Sequence, residues 1–191
     1  MEFIQNRRFY TILSVCYLLH LILLGIMQFV LNTHPDPRYT FFYTDGEYYS
    51  MHARIIASIL TNKPLSYIAS LRAVNPWVSD FTQRGMIPLA HTYQVGYIAY
   101  FYGILYSLFG YYPLIINLWN ITLHLLSGIL VFKISNVLFD EKTGYIATTL
   151  FLFNPTLFYY TTTKVAESSY IFLICLIIYL CLSINKRYSF V

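Results

Sequence analysis

Charged residues are scarce in this chain. Asp, Glu, Lys and Arg make up 10% of its 191 residues, whereas a soluble domain carries about 25%. Between Gly85 and Phe132 there is no Asp, Glu, Lys or Arg. This scarcity excludes an ordinary soluble domain. The 58% hydrophobic content also excludes intrinsic disorder, which needs low hydrophobicity and high net charge. The sequence therefore predicts an integral membrane protein.

The usual motifs of soluble enzymes are missing as well. The sequence contains no P-loop, GxGxxG, HExxH or CxxC pattern, each of which would indicate a particular phosphate, nucleotide or metal site. No basic run is interleaved with aromatic residues, so nucleic acid is not an expected partner. The three cysteines lie within apolar runs without metal-ligand spacing and are predicted to be buried small hydrophobic residues. They are Cys16, Cys175 and Cys181.

Four uncharged segments are long enough to cross a bilayer, which takes about 20 mostly apolar residues. The predicted transmembrane helices are residues 9–31, 113–132, 144–163 and 168–185. Within the third, Asn154-Pro155 predicts a helix break near the outer end. His20 and His124 lie inside spans, where a partner on a neighbouring helix is favoured over a metal ion. The predicted fold class is an all-α integral membrane protein.

A fifth apolar segment, Gln94–Phe109, is shorter and is followed by the helix-breaking Gly110 and Pro113. Positive charge decides whether it crosses. If it lies in the interface, six basic residues share one side and Lys164 alone lies in a short loop on the other. The six are Arg7, Arg8, Lys133, Lys142, Lys186 and Arg187. A crossing would divide these six residues and Lys164 three against four, so the positive-inside rule favours four spans with both termini cytoplasmic.

This topology places residues 32–112 in one large extracytoplasmic loop. Two stretches of the loop, Met51–Leu60 and Gln94–Phe109, are predicted to be helices lying along the outer leaflet. The first continues a helix that opens at Thr44-Asp45-Gly46-Glu47. Thr44 and Glu47 match a capping box, and an acid in the first turn is favoured by the helix dipole. One face of this helix would carry Asp45, Tyr49, His52 and Ile56.

The acids at this helix start have a second interpretation. Asp45, or less strongly Glu47, is placed to act as a general base on an incoming hydroxyl. Lys164 and Glu167 form an ionisable pair in the outer turn between the last two spans, which predicts function at a membrane surface. The alternative there is a first-turn acid with a snorkelling lysine.

Arg84 and His91 precede the second interfacial helix. A cation near an outer acid can hold a phosphate, and the alternative is a solvated loop arginine.

The order of these features resembles the N-terminal module of the GT-C glycosyltransferases. The resemblance is nearest to the group that contains the protein O-mannosyltransferases and the aminoarabinose transferases of lipid A. It covers about residues 5–185 and rests on an ordered set of stretches after a basic N-terminus and one span. These are TDGEYYSMHAR, GYIAYFYGILYSLFG, FKISNVLFDEKTG, IATTLFLFNPTLFYYTT and KVAESSYIFLICLIIYL.

The resemblance implies transfer of a hexose or pentose from a polyprenyl-phosphate donor to a hydroxyl of a lipid, glycan or protein acceptor. The reaction would occur on the extracytoplasmic face of a membrane, expected to be a prokaryotic plasma membrane in a cell envelope. The first-loop acid of the family matches Asp45, with Glu47 as the second candidate, and the second-loop acid matches Glu167. The expected substrate-binding residues are Arg84, Lys164, Tyr49 and His91. A divalent Mg or Mn ion is the candidate cofactor.

Such enzymes continue with several more spans. The chain is therefore expected to be a single membrane module, residues 1–191, from the N-terminal part of a longer enzyme. The residues leave open a non-catalytic accessory or scaffold subunit built on a GT-C-like module. A transporter is less favoured, because its polar residues should line the spans near the bilayer midplane.

Overall fold

The computed structural model describes residues 7–33, 43–61, 96–110, 112–162 and 166–188. These ranges are helical almost throughout and contain no strand, which confirms the all-α prediction. The helices are α1 (Arg7–Thr33), α2 (Tyr43–Leu60), α3 (Gly96–Phe109), α4 (Pro113–Leu138), α5 (Glu141–Leu152), α6 (Pro155–Thr161) and α7 (Glu167–Tyr188).

Three of these helices, α1, α4 and α7, are long and apolar enough to cross a membrane. They coincide with the predicted spans 9–31, 113–132 and 168–185. A single long helix suits the bilayer core because it satisfies every backbone hydrogen bond internally. The structure therefore supports a membrane protein.

The remaining predicted span, residues 144–163, is divided into α5 and α6. Pro155 has no backbone N–H and cannot continue the hydrogen bonding of α5. Asn154 instead caps α6, where its Oδ1 accepts from the N–H of Thr156 at 3.0 Å and of Leu157 at 3.1 Å. The predicted break is confirmed. The two pieces have 12 and 7 residues, so this segment is not one membrane-length helix.

The described residues belong to two compact units. In the unit formed by α1, most of α4 and α5–α7, the helices α4 and α5 run antiparallel and approach each other at two glycines. A Cβ on Gly128 would lie 2.5 Å from Cδ2 of Leu152, and one on Gly144 would lie 3.2 Å from the Phe132 ring. Small residues allow such close approach of helices in membranes. The Phe9 ring of α1 packs on Phe132 at 4.6 Å between centroids.

The turn between α4 and α5 is fixed by Asp140. Its carboxylate accepts from the backbone N–H of Thr143 at 2.6 Å, which makes Asp140 the N-cap of α5. This hydrogen bond lowers the pKa of Asp140, since it favours the ionised form.

At the same end of the unit, the Lys133 ammonium lies 5.3 Å from the centre of the Tyr179 ring of α7, at cation–π distance.

The second unit pairs α2 with α3, the two helices predicted for the outer loop. Gly103 of α3 lies against α2, because a Cβ there would be 2.6 Å from Cγ2 of Ile56 and 3.2 Å from the Ala53 carbonyl oxygen. Nearby, the buried hydroxyls of Ser50 and Tyr106 are 3.1 Å apart and share a hydrogen bond. α3 ends at Phe109, and the following Gly110 has a φ of +83°, a left-handed conformation favourable to glycine.

Candidate functional site

The predicted acids of the first loop lie at the start of α2. This helix ends at Leu60 as predicted but begins at Tyr43, one residue before the predicted cap Thr44, so Asp45 and Glu47 occupy its first turns. Their side chains lie outside the part of the chain that the structure describes. The backbone position of Asp45 agrees with both interpretations. It suits an acid stabilised by the helix dipole in the first turn, and it suits a general base at the N-terminus of the helix.

The helical face that continues from Asp45 becomes a packing face. Tyr49 is half-buried, His52 is buried, and Ile56 contacts Gly103 of α3. Ile56 is half-buried like Tyr49, so His52 is the most covered of these three side chains.

Glu167 is the first residue of α7 and belongs to the first unit. Its carboxylate oxygen Oε2 is buried and has no hydrogen-bond partner among the described residues. The neighbouring Ala166, Ser168 and Ser169 are also buried. A buried polar atom without a partner costs about 1–3 kcal/mol. Such an atom at the end of a membrane-length helix is a candidate contact for a substrate or an ion.

Three of the predicted substrate-binding residues, Arg84, His91 and Lys164, lie outside the described residues. No distance joins them to Asp45 or Glu167.

The structure brings together three reactive side chains that the sequence distributes over separate spans. Cys16 and His20 lie near the middle of α1, and His124 lies near the middle of α4. One ligand atom from each of the three lies within 4.8 Å of the others. Their exposed fractions are 0%, 0% and 2%. We call these three residues the Cys–His cluster.

Hydrogen bonds orient both imidazoles of the Cys–His cluster. Nδ1 of His20 lies 2.7 Å from the Cys16 carbonyl oxygen, and Nε2 of His124 lies 3.2 Å from the Leu152 carbonyl oxygen. A carbonyl oxygen only accepts, so each of these nitrogens carries a proton and donates it. In a neutral ring the other nitrogen then keeps a lone pair. For His20 that nitrogen, Nε2, is buried without a hydrogen-bond partner among the described residues.

The break between α5 and α6 supplies the acceptor at the centre of this arrangement. In a continuous helix the Leu152 carbonyl would accept from the N–H of Thr156, but that N–H bonds the Asn154 side chain. The freed Leu152 oxygen accepts from His124 and from the Cys16 thiol, whose Sγ is 3.6 Å away. Helix breaks in membrane proteins are tolerated where neighbouring helices satisfy the freed backbone groups in this way.

Aromatic rings enclose the two histidines. The Phe158 ring lies 3.7 Å from the His20 ring and the Phe151 ring 5.1 Å from the His124 ring, between centroids. The two imidazoles are 5.2 Å apart. The polar atoms of the cluster are therefore held in an apolar surrounding.

Sequence reasoning treated these residues singly and missed the cluster. The expectation that an intramembrane histidine finds a partner on a neighbouring helix is confirmed for His124, which bonds α5. Cys16 is buried as predicted, but Cys175 is half-buried and Cys181 is exposed on α7, so the prediction for those two is wrong. The i, i+4 spacing of Cys16 and His20 was the available signal, because it puts both on one helical face.

No protein-family profile, curated protein or solved structure matches this chain.

Proposed function

We propose that the chain is a membrane glycosyltransferase module that transfers a sugar from a polyprenyl-phosphate donor to a hydroxyl acceptor. The observation that carries the proposal is the buried Oε2 of Glu167 at the start of the apolar helix α7, which has no hydrogen-bond partner among the described residues. The position of Asp45 in the first turn of α2 supports it. Both acids are at helix starts, where a polar substrate can meet an apolar helix that holds its lipid.

In this mechanism the Asp45 carboxylate accepts the proton of the acceptor hydroxyl while its oxygen attacks the anomeric carbon. The bond from that carbon to the phosphate oxygen breaks, and the polyprenyl phosphate leaves with the electron pair. Arg84 or Lys164 stabilises the phosphate charge, and a Mg or Mn ion, when bound, would supply the same stabilisation. Glu167 positions the acceptor or the ion, and Glu47 is the alternative base. General base catalysis contributes about 10²- to 10⁴-fold in rate.

The proposed topology has both termini in the cytoplasm and the acids on the extracytoplasmic side of a prokaryotic plasma membrane. It requires α5 and α6 together to complete a third crossing. Their break does not prevent this, because the Leu152 carbonyl freed by the break is satisfied by α1 and α4.

Asp45→Asn in the full protein that contains this chain tests the mechanism. We expect transfer of sugar from a labelled polyprenyl-phosphate donor to fall about 10²- to 10⁴-fold, because the amide cannot accept the proton. Glu167→Gln should also reduce transfer. Glu141→Gln, in the predicted cytoplasmic turn, is the matched control and should leave transfer unchanged. Near wild-type transfer by Asp45→Asn would reject Asp45 as the base.

A further inference from the structure

The Cys–His cluster has the donor atoms of a transition-metal site. One thiol sulfur and two imidazoles suit zinc and copper, whereas magnesium and manganese prefer oxygen ligands. The donor atoms lie within 4.8 Å of one another. A tetrahedral zinc site has ligand atoms about 3.3–3.8 Å apart, from bond lengths of about 2.0–2.3 Å. Donor atoms up to 4.8 Å apart must therefore approach one another, by rotation of their side chains, to complete such a set.

The hydrogen bonds of the cluster match the outer shell of a metal site. A histidine that binds a metal usually donates its other N–H to a carboxylate or a backbone carbonyl, which fixes the ring and its tautomer. Both His20 and His124 donate to backbone carbonyls in this way. Each ring is thereby left with one nitrogen that can coordinate a metal. For His20 this is Nε2, which is buried and has no hydrogen-bond partner among the described residues.

A purely structural interpretation explains only part of this arrangement. His124 and Cys16 relieve the broken helix by donating to the Leu152 carbonyl. These two bonds do not explain why the imidazole of His20 is buried 5.2 Å from that of His124 with a nitrogen that has no hydrogen-bond partner in the described part of the chain. An ionisable side chain inside a membrane span is costly and is by default a functional hypothesis.

We propose that Cys16, His20 and His124 bind one thiophilic transition-metal ion, and that zinc is the preferred ion. Binding replaces the proton on Sγ, since the thiolate is the form that coordinates. One S–H bond breaks, one metal–sulfur bond forms, and one proton leaves to solvent. Loss of the S–H donor leaves the Leu152 carbonyl oxygen with the hydrogen bond from His124. The ion then joins α1 and α4 at the depth where α5 is interrupted.

This site is independent of the proposed glycosyl transfer. It lies within the unit formed by α1 and α4–α7, near the middle of two membrane-length helices, and its ligands are not the acids of the proposed transferase. Its soft ligands also select against the Mg or Mn ion of that mechanism. The metal alone therefore tests it.

Cobalt titration of the full chain, purified in detergent and stripped with a chelator, is the first test. We expect one Co²⁺ per chain and a thiolate-to-cobalt charge-transfer absorption that zinc abolishes by displacement. Cys16→Ser should remove that absorption and weaken binding by at least about tenfold, the lower bound for disturbing even an outer-shell partner. His124→Gln should weaken binding similarly. The matched control is Cys175→Ser with Cys181→Ser, which should retain both the absorption and the affinity.

X-ray absorption at the zinc edge identifies the atoms bound to the metal. It does not require the Cys16→Ser variant, so it tests the proposal even if that variant fails to fold. In the chain that carries Cys175→Ser and Cys181→Ser, Cys16 is the only thiol. We expect one sulfur at about 2.3 Å with nitrogen or oxygen neighbours at about 2.0–2.1 Å. Copper found at the same ligands would support the site and change the metal. Absence of a sulfur neighbour, or cobalt absorption that survives Cys16→Ser, would overturn the proposal.

Discussion

The helix starts and the helix centres of this protein present two kinds of polar residue. At the starts, Asp45, Asp140 and Glu167 lie in or next to a first turn, where the backbone N–H groups and the dipole favour an acid. At the centres, Cys16, His20 and His124 are surrounded by apolar side chains and are oriented mainly by carbonyl groups. An acid at a helix start is explained by its own helix. The central cluster exists only because three helices meet.

Substitutions are therefore expected to act differently at the helix starts and at the helix centres. A substitution at a helix start acts first on the hydrogen bonds of its own first turn. A residue at the centre depends on the distance between helices, so a change in packing some residues away should also change the cluster.

Gly128→Ala is expected to have the largest effect on stability. The added methyl group would lie 2.5 Å from Cδ2 and 2.9 Å from Cγ of Leu152, and Leu152 is completely buried. Overpacking of this kind costs about 1–3 kcal/mol, which thermal unfolding in detergent would measure. Because Leu152 also carries the carbonyl bonded by the cluster, cobalt affinity should fall with stability.

Gly25→Ala is the matched control for Gly128→Ala. Nothing lies within 4 Å of a Cβ at Gly25, so stability should be unchanged or increased by up to about 1 kcal/mol through helix propensity. Equal loss in both variants would show that α4 and α5 do not pack as described.

Asn154→Ala is expected to have an intermediate effect on stability. It changes a helix start and, through the Leu152 carbonyl, also the Cys–His cluster. It removes the N-cap of α6, which costs about 1 kcal/mol, and it frees the N–H of Thr156 from the Asn154 side chain. That N–H can then compete for the Leu152 carbonyl. We expect a lower unfolding temperature together with weaker cobalt binding.

Asn154→Ser, which keeps a capping oxygen, should restore most of the stability lost in Asn154→Ala. Unchanged cobalt affinity in Asn154→Ala would mean that the cluster does not depend on the helix break.

The smallest expected effect is a pH dependence at the start of α5. The hydrogen bond from Thr143 lowers the pKa of Asp140 below its ordinary value of 3.8. A group with a lowered folded-state pKa stabilises the protein above its unfolded pKa and loses that contribution as the pH falls through the folded value. Stability should therefore decrease slightly below about pH 4.

Asp140→Asn keeps a capping oxygen without the charge and should remove this acid-side slope, as followed by unfolding temperature against pH. Glu141→Gln should keep it. The same slope in Asp140→Asn would assign the pH dependence to another carboxylate.

Much of the fold follows from local pattern. The long apolar segments predict α1, α4 and α7, because a helix of that length satisfies its own backbone in a bilayer. Asn154-Pro155 predicts the break, because proline lacks the N–H that the helix would need. Glu167 predicts where α7 begins, and Thr44 to Glu47 predict the start of α2 to within two residues. These properties depend on neighbours within a few residues, so the order of residues is enough to predict them.

Tertiary structure decided the rest. Nothing local in α1 indicates that Cys16 and His20 meet His124, which lies more than a hundred residues away in the chain. Nothing local in α5 indicates that the carbonyl freed beside Asn154 becomes their common acceptor. Helical periodicity gives the face on which a side chain lies, but not the helix that covers that face. The sequence by itself determined a helical membrane protein with acids at its helix starts. Only the packing of α1, α4 and α5 assembled the Cys–His cluster, because contacts between distant segments depend on how close the helices can approach.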